Sequence, residues 1–517
     1  MYKPGSVSAI LKISLFATGF AGIVAEFVLS TLATYLIGNA IFQWAIVMSL
    51  MLFAMGLGSR ISRFFLTGLL DTFIILEFSL SILCAVSTQL AYGLAAFTSY
   101  ISLIIYSQAF VIGILIGLEI PLVIRLNESY EALRINISAV MEKDYYGSLV
   151  GGLAFAFFAL PHLGLTYTPI ALGAINFLVA SLLMWRFFAL LKRKILMPSL
   201  FGLALCVLVA LGVFAEKVQQ FGEQAKYRDK VIYSAQTMYQ KIVMTRWKSD
   251  YWLYINGQEQ FSTFDEEKYH EPLVHPVMAL SAKVSDVLII GGGDGLALRE
   301  VLKHPGVEKV TLVDMDPAMT DLAGTHPLLL SINEGAMLNP KVRIVNMDAA
   351  RFIDETADLY GVIIIDLPDP DSFDLMHVYS VNFYRSLYRH LIRGGHLVTQ
   401  ATSPYFSKQA FQCILKTIRA AGFSALPYHN HIPTMGEWGW VIGARAEDVG
   451  EALLKARIAA ETFTGIRTRF VNNDAVLSMI HFGKGILDED AMEKIKINTE
   501  LRPVLQEYYQ AGSWGMY

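Results

Sequence analysis

Two patterns of apolar and polar positions divide this chain. Over roughly the first 216 residues the apolar positions are continuous rather than periodic. A bilayer-crossing helix takes about 20 mostly apolar residues. Seven runs approach or exceed that length: 13–37, 41–58, 72–97, 101–124, 146–163, 169–190 and 197–215. A cleaved leader does not explain the first run, because six more follow it. The runs 41–58 and 146–163 are short. The second carries Gly147, Gly151 and Gly152, which suits close helix packing or a re-entrant segment. The pattern predicts a helical membrane domain of about seven spans over 1–216.

Beyond it the pattern is that of a soluble α/β protein. Residues 217–235 are polar and read as a linker. The stretches 239–247 and 251–255 are rich in aromatic and β-branched residues, and Lys248, Ser249 and Asp250 separate them, which predicts a hairpin. Linker and hairpin together predict a small β domain over 217–285. From 286 to about 445, short apolar runs at 287–290, 310–313, 342–345 and 362–365 alternate with helical stretches. That alternation predicts a Rossmann-like sheet of the class I methyltransferase type, parallel and covered on both faces. The remainder, 446–517, reads as a helical extension.

Composition sharpens the division. Apolar residues make up 54% and charged residues 17% of the 517 positions, an excess of apolar content set by the first half. A net charge of −4 excludes the basic footprint of a nucleic-acid binder. Cys84, Cys206 and Cys413 lie far apart, with neither metal-ligand spacing nor a disulfide framework. Positive charge falls in alternate connections: Lys3 and Lys12, then Arg60 and Arg63, then Arg125, Arg134 and Lys143, then Lys192, Arg193 and Lys194. The connections around 38–40, 98–100 and 164–168 carry none. The positive-inside rule therefore places the amino terminus in the cytoplasm. Seven spans would then put the second half outside, and six would keep it inside. Glu26, Glu77 and Glu119 fall within spans, where carboxylates either lock helices together or serve a substrate or ion path.

Four acids carry the chemistry of the second half. Asp294, Asp314, Asp348 and Asp366 each follow a different predicted strand, at the edge where open parallel sheets bind ligands. Gly291, Gly292, Gly293 and Gly295 flank Asp294 in a turn that lets a ligand approach the backbone. An acid after the second strand suits ribose hydroxyls. The turn alone fits nicotinamide enzymes and adenosylmethionine-dependent methyltransferases equally. Several carboxylates in one cleft repel one another and favour a cationic ligand, a polyamine or a sulfonium rather than a pyrophosphate.

Three segments resemble the polyamine aminopropyltransferases, the spermidine synthase family. They are Tyr254-Ile-Asn-Gly-Gln-Glu-Gln260 with Asp265-Glu-Glu-Lys-Tyr269-His270-Glu271 and His275-Pro276; Val287-Leu-Ile-Ile-Gly-Gly-Gly-Asp294-Gly295 with Arg299 to His304; and Asp366-Leu-Pro-Asp369-Pro370. Ala25-Glu26, Asp144-Tyr-Tyr-Gly-Ser148, Asn498-Thr-Glu-Leu501 and Tyr508-Tyr509 resemble the membrane-fused branch of that family. The resemblance implies decarboxylated S-adenosylmethionine and a polyamine as substrates, putrescine going to spermidine and methylthioadenosine leaving. It implies that Asp294 and Gln260 hold the aminopropyl amine, that Asp314 takes the ribose, and that Asp348 takes the adenine, with Gly291, Gly293 and Ala349 lining the donor. It implies Asp366 as the base with Tyr269 assisting, and His270, Asp369 and Met435 around the acceptor. No resident cofactor or metal is expected, and His270 and His275 read as pocket or packing residues. A homodimer in a bacterial plasma membrane, in contact with lipid, is the implied setting.

The chain departs from the family at four places: Asp314 for the usual Glu, Ala349 for Gly, Asp371-Ser372 for Gly-Pro, and Met435 for Tyr. The last two fall at the acceptor end. Asp371, with Asp374 beyond it, would suit a longer or more cationic acceptor. Two rival readings are a methyltransferase and a membrane polyamine sensor or transporter with an inactive synthase-like domain.

Overall fold

A computed structural model describes residues 4–37, 40–95, 97–98, 100–128 and 132–514. Lys3 and residues 38, 39 and 99 of two uncharged connections lie outside them. The chain divides into two compact units, Met1–Val231 and Ile232–Tyr517.

Among the described residues the first unit has seven long helices: α1 (Pro4–Ile37), α2 (Ala40–Ile61), α3 (Leu69–Ala95), α4 (Ile101–Asn127), α5 (Leu133–Ala154), α6 (Gly164–Phe187) and α7 (Leu196–Lys226). Six helical runs are long and apolar enough to cross a membrane, because the fifth, Leu133–Leu190, contains both α5 and α6. A straight helix of those 58 residues would reach about 87 Å, against a hydrocarbon core of about 30 Å. The run instead widens into a π-helical turn over Phe155–Leu163 and breaks at Gly164, whose φ of 60° favours glycine. α5 then packs on α1, and α6 on α3.

The apolar run 146–163 is thus the second half of α5 plus this turn. The helix begins earlier, at Leu133, because its polar first half finds partners. Asn136 accepts from Asn127 Nδ2 at 2.9 Å and donates to the Ile124 carbonyl at 2.7 Å. Of the three glycines, two set the approach to α1. A Cβ at Gly147 would lie 2.1 Å from the Phe16 carbonyl oxygen, and one at Gly151 2.6 Å from that of Phe20. Gly152 meets only the Phe27 ring at 3.5 Å, an ordinary contact.

The polar stretch 217–235 is regular structure rather than linker. α7 continues to Lys226 and a strand begins at Lys230. The Gln224 side chain joins them, donating to the Asp229 carbonyl at 2.8 Å and accepting from the Val231 N–H at 2.9 Å.

Strands β1 (Lys230–Gln236), β2 (Lys241–Trp247), β3 (Asp250–Ile255) and β4 (Gln258–Ser262) form a sheet in that order. The expected hairpin is β2–β3, with Trp247 opposite Asp250. α8 (Glu267–Leu280) leads into β5 (Asp286–Gly291), α9 (Leu296–Leu302), β6 (Lys309–Asp314), α10 (Pro317–Thr325), α11 (Pro327–Ile332), β7 (Val342–Asn346), α12 (Ala349–Glu355) and β8 (Tyr360–Asp366). α13 (Val381–His390), β9 (Leu391–Gln400), α14 (Lys408–Ala420), β10 (Phe423–Ile432) and β11 (Gly436–Arg445) complete a seven-stranded sheet of order β10-β11-β9-β8-β5-β6-β7. β9, β8, β5, β6 and β7 run parallel; β11 is antiparallel to both β9 and β10, so β11 alone is reversed and β10 runs with the other five. Val287 to Ile290 and Val362 to Ile365 are 0% exposed, as helices on both faces require.

Among the described residues the extension past 445 contains only short helices, α15 (Glu451–Ala459), α16 (Asn473–Met479), α17 (Glu489–Lys494) and α18 (Leu505–Gln510). Hydrogen bonds to the rest of the α/β unit hold it. Buried Glu271 on α8 accepts the N–H groups of Arg469, Phe470 and Val471 at 2.6–2.8 Å. Asn498 donates to the carbonyls of Met376 and Tyr379, both at 3.1 Å.

Candidate active site

Strand order reverses at β5, whose neighbours are β6 and β8, and open α/β sheets bind ligands in the crevice at such a point. The turn after β5 is pressed between those neighbours. Gly291 has φ 77°, and a Cβ there would lie 2.1 Å from the Asp366 carbonyl oxygen. A Cβ at Gly293 would lie 2.5 Å from Asp314 Oδ2. Asp294 follows and accepts the Leu296 N–H at 2.8 Å, at the head of α9.

Asp314 ends β6 and accepts the Asp316 N–H at 2.8 Å, while Asp316 caps α10 through the Ala318 N–H at 3.0 Å. Asp348 caps α12 through the Arg351 N–H at 2.9 Å, and its other oxygen faces His377 Nε2 at 3.1 Å. Its side chain is 36% exposed, whereas neighbouring Ala349 is buried.

Asp366 ends β8. Tyr269, buried on α8, donates its hydroxyl to Asp366 Oδ1 at 2.7 Å. The Tyr269 ring sits 5.5 Å from the ring of Trp440 and 6.4 Å from that of Trp438. His270, next on α8, places Nδ1 3.1 Å from Glu266 Oε2, and Glu266 also receives Arg299 at 2.8 Å and Arg469.

These groups feel one another. Burial pushes Asp366 up to about 6; the charge on Asp294 adds to this, while His270 and the Tyr269 hydroxyl oppose it. Burial likewise pushes Asp314 up to about 6, with Asp316 and Asp294 adding to it. Asp294 is pushed up by burial and held back mainly by His270. For His270, burial disfavours the cation, but the bond to Glu266 and the charges of Glu266, Asp294 and Asp366 outweigh it and raise the imidazole. Burial and then the Asp366 charge push the Tyr269 phenol far up, which keeps it a hydrogen-bond donor. Asp294, Asp314 and Asp366 therefore form one interacting set with His270 and Tyr269. Asp348 stands apart at the same sheet edge.

A second cluster lies beyond Asp366. Asp369 is 6% exposed, and its Oδ1 has no hydrogen-bond partner. Burial pushes it up to about 7, with Tyr509, Gln400 and Thr402 stabilising the ion and Asp371 opposing it. Burial pushes Asp371 up to about 6. Asp371 accepts from Gln258 Nε2 at 2.8 Å, and its carbonyl accepts from Gln506 Nε2 at 2.9 Å. Asp374 is exposed, so Asp371 alone of the two extra acids faces inward. Met435 is buried beside Thr434, whose N–H and hydroxyl bond Asp265 at 2.9 and 3.0 Å. Gln260 donates to the Gln258 carbonyl at 3.3 Å.

Sequence reasoning missed Gln400, Thr402, Gln258 and Tyr509. Gln400 ends β9, a fifth parallel strand beyond the four read as carrying acids, and its Nε2 donates to the Leu367 carbonyl at 2.9 Å. Thr402 has φ 57°, a strain that often marks a functional site but leaves no trace in sequence. Tyr509 belongs to the tail segment noted above, and the fold brings it to Asp369.

Among the described residues Glu271, His275 and Glu300 place ligand-type atoms within 4.8 Å of one another. Their charge is already answered by the protein. Glu271 takes three backbone N–H groups, and Glu300 takes Arg299 at 2.8 Å, Lys303 at 2.7 Å and His275 at 3.0 Å. The trio reads as packing between α8, α9 and the extension.

The Spermine/spermidine synthase domain family matches residues 266–452. Polyamine aminopropyltransferase 2 of Aquifex aeolicus is 41% identical over 506 residues, which covers 98% of this chain and 99% of that protein. The polyamine aminopropyltransferase of Oceanobacillus iheyensis is 35% identical over 515 residues, covering 98% of both chains. A crystal structure of spermidine synthase from Thermotoga maritima aligns with 52% of this chain and 88% of that one, at 23% identity and a TM-score of 0.45. The two long relatives match the helical half as well as the α/β half, and neither rival reading gains support from them. This chain belongs to the polyamine aminopropyltransferase family and is an aminopropyltransferase.

Proposed function

We propose that the α/β unit moves the aminopropyl group of decarboxylated S-adenosylmethionine onto a primary amine of a polyamine, putrescine to spermidine in the simplest case, and releases methylthioadenosine. The observation that carries this reading is the buried Tyr269–Asp366 pair at the switch point, with Asp294 on one side and, on the other, Asp369, whose Oδ1 has no hydrogen-bond partner.

In this reading the donor's nucleoside lies against the glycine turn, its ribose on Asp314 and its adenine at Asp348 and Ala349. Asp294, with Gln260, holds the ammonium of the aminopropyl arm. Asp369 and Asp371 attract the far ammonium of the acceptor, with His270 and Met435 beside it. An ammonium cannot attack, so Asp366 draws it in and takes one proton. The freed lone pair forms the new C–N bond at the carbon beside the sulfonium. The C–S bond breaks, and its electron pair goes to sulfur as the neutral thioether leaves. Holding amine and carbon in line removes most of the entropic barrier. Tyr269 orients the Asp366 carboxylate and favours its charged form before the amine arrives. The reading extends to place: a bacterial plasma membrane crossed several times by the first unit, which has six helical runs of sufficient length.

The test incubates detergent-purified protein with decarboxylated S-adenosylmethionine and putrescine, cadaverine, agmatine or spermidine, and follows methylthioadenosine. Amine-dependent release that is lost in Asp366→Asn supports the reading. Donor binding without release for any amine overturns it. The best amine names the acceptor, and a strong preference for putrescine would sink the suggestion that Asp371 selects a longer one.

A further inference from the structure

One layer of the helical unit gathers polar side chains that the proposed chemistry does not use. Glu77 on α3 is 0% exposed, and neither of its carboxylate oxygens has a hydrogen-bond partner. Glu119 on α4 is 2% exposed; Thr18 on α1 lies within hydrogen-bonding reach of it, and its Oε1 has no partner. Glu77 and Glu119 lie close enough for their charges to act on each other, as do Glu119 and Asp144 on α5. Asp144 Oδ1 comes within 2.8 Å of where a Cβ at Gly19 would sit, one residue past Thr18. Two more unpartnered oxygens adjoin the layer, Ser81 Oγ one turn from Glu77 and Asn176 Oδ1 on α6, both on residues at most 1% exposed. The register places Asn176 there: the Gly173 backbone abuts Ser81, and the Phe177 ring meets that of Phe78 at 6.0 Å. Glu26, two turns further along α1, lies outside the layer.

Carboxylates in an apolar interior are costly and persist where they serve a ligand or a relay. Simple helix-to-helix locking would leave their oxygens hydrogen-bonded. Instead three oxygens of Glu77 and Glu119 are buried without a partner. We propose that this layer is a binding site for a primary alkylammonium group, the charged end of a diamine, inside the helical unit. An alkylammonium offers three N–H donors, which matches the three free oxygens of Glu77 and Glu119. The site gives the helical unit its own amine-binding role beside the catalytic unit, whose family acts on polyamines.

The experiment uses full-length protein in detergent carrying Asp366→Asn and Asp369→Asn, so that amine binding in the catalytic unit is weakened. Equilibrium dialysis with radiolabelled 1,4-diaminobutane is expected to show one bound diamine per chain, and Glu77→Gln or Glu119→Gln to weaken it about tenfold or more. In otherwise unaltered protein the same two variants are expected to keep aminopropyl transfer, which reports on folding. Should either variant fail to fold, infrared difference spectra of the Asp366→Asn, Asp369→Asn protein decide: added diamine should change a carboxyl band. Absence of the bound diamine, binding unchanged by both glutamine variants, displacement by sodium or calcium alone, or a carboxyl band indifferent to diamine overturns the proposal. The transferase reading is tested separately by methylthioadenosine release, so failure here leaves it untouched.

Discussion

The Tyr269 hydroxyl donates to Asp366 across 2.7 Å, joining residues 97 positions apart in the chain. The bond fixes α8 against the carboxyl end of β8 and holds one oxygen of the carboxylate that the proposed mechanism uses as a base.

Removing that carboxylate should therefore be far more damaging than removing its partner. Asp366→Asn is expected to lower kcat by about 10²–10⁴. Tyr269→Phe is expected to lower it by about 10- to 100-fold, the worth of one hydrogen bond to a charged group. Steady-state rates with near-unchanged donor binding would agree; equal losses in the two variants would not.

The pH profile carries a second signature. Asp366 sits at about 6, chiefly through burial, so it is protonated and inert as a base below that pH. Activity should rise with pH through about 6 and level off above Asp369, which sits at about 7. The Tyr269 bond favours the ionised form, so Tyr269→Phe should move the acid limb to higher pH. A limb that stays in place would show that the tyrosine does not tune Asp366.

Burial of these acids also bears on stability. Asp314, Asp366 and Asp371 at about 6 and Asp369 at about 7 all lie above the unfolded aspartate value of 3.8. A raised folded pKa means the folded state prefers the protonated group, so this stability is present below pH 3.8 and is lost as pH climbs through 6 to 7. Thermal melts of the ligand-free protein should show the site acids lowering Tm between pH 5 and 8. Asp366→Asn should recover part of that loss, and a diamine should raise Tm more at pH 8 than at pH 5. An Asp366→Asn protein that melts lower than the unaltered protein at pH 8 would contradict this account.

The glycine turn gives a sharper steric prediction. Gly293→Ala would bring a Cβ to 2.5 Å from Asp314 Oδ2 and push that carboxylate from its place. The KM for the donor should rise about tenfold or more while the KM for the acceptor changes little. A variant with both constants unchanged would remove Asp314 from the donor site.

The tail reaches the opposite end. Tyr509 stabilises the Asp369 ion, and Gln506 holds the Asp371 carbonyl at 2.9 Å. Tyr509→Phe should raise the acceptor KM about threefold to tenfold and leave the donor KM alone. A change confined to the donor would show that the tail serves the wrong end for this reading.

The sequence by itself determined what depends on local pattern. Continuous apolar runs marked the helical half, because a bilayer selects length and apolarity directly. Alternating short apolar runs and helical stretches marked the parallel sheet, because strands covered on both faces leave no polar alternation. Acids after successive strands marked the binding edge, since parallel strands end on one side. Tertiary structure decided the rest. The run at 146–163 became half a helix and a turn because Asn136, polar in sequence, is satisfied by Asn127 and Ile124 across the bundle. The stretch read as a linker became helix and strand because Gln224 bonds both. Asp348 and Asp366 look alike in sequence, yet one is a part-exposed cap and the other a buried partner of Tyr269. Tyr509 met Asp369, and Glu77 met Glu119, only once distant segments packed. Burial and charge coupling belong to the neighbours a side chain acquires on folding, and those neighbours are remote in the chain.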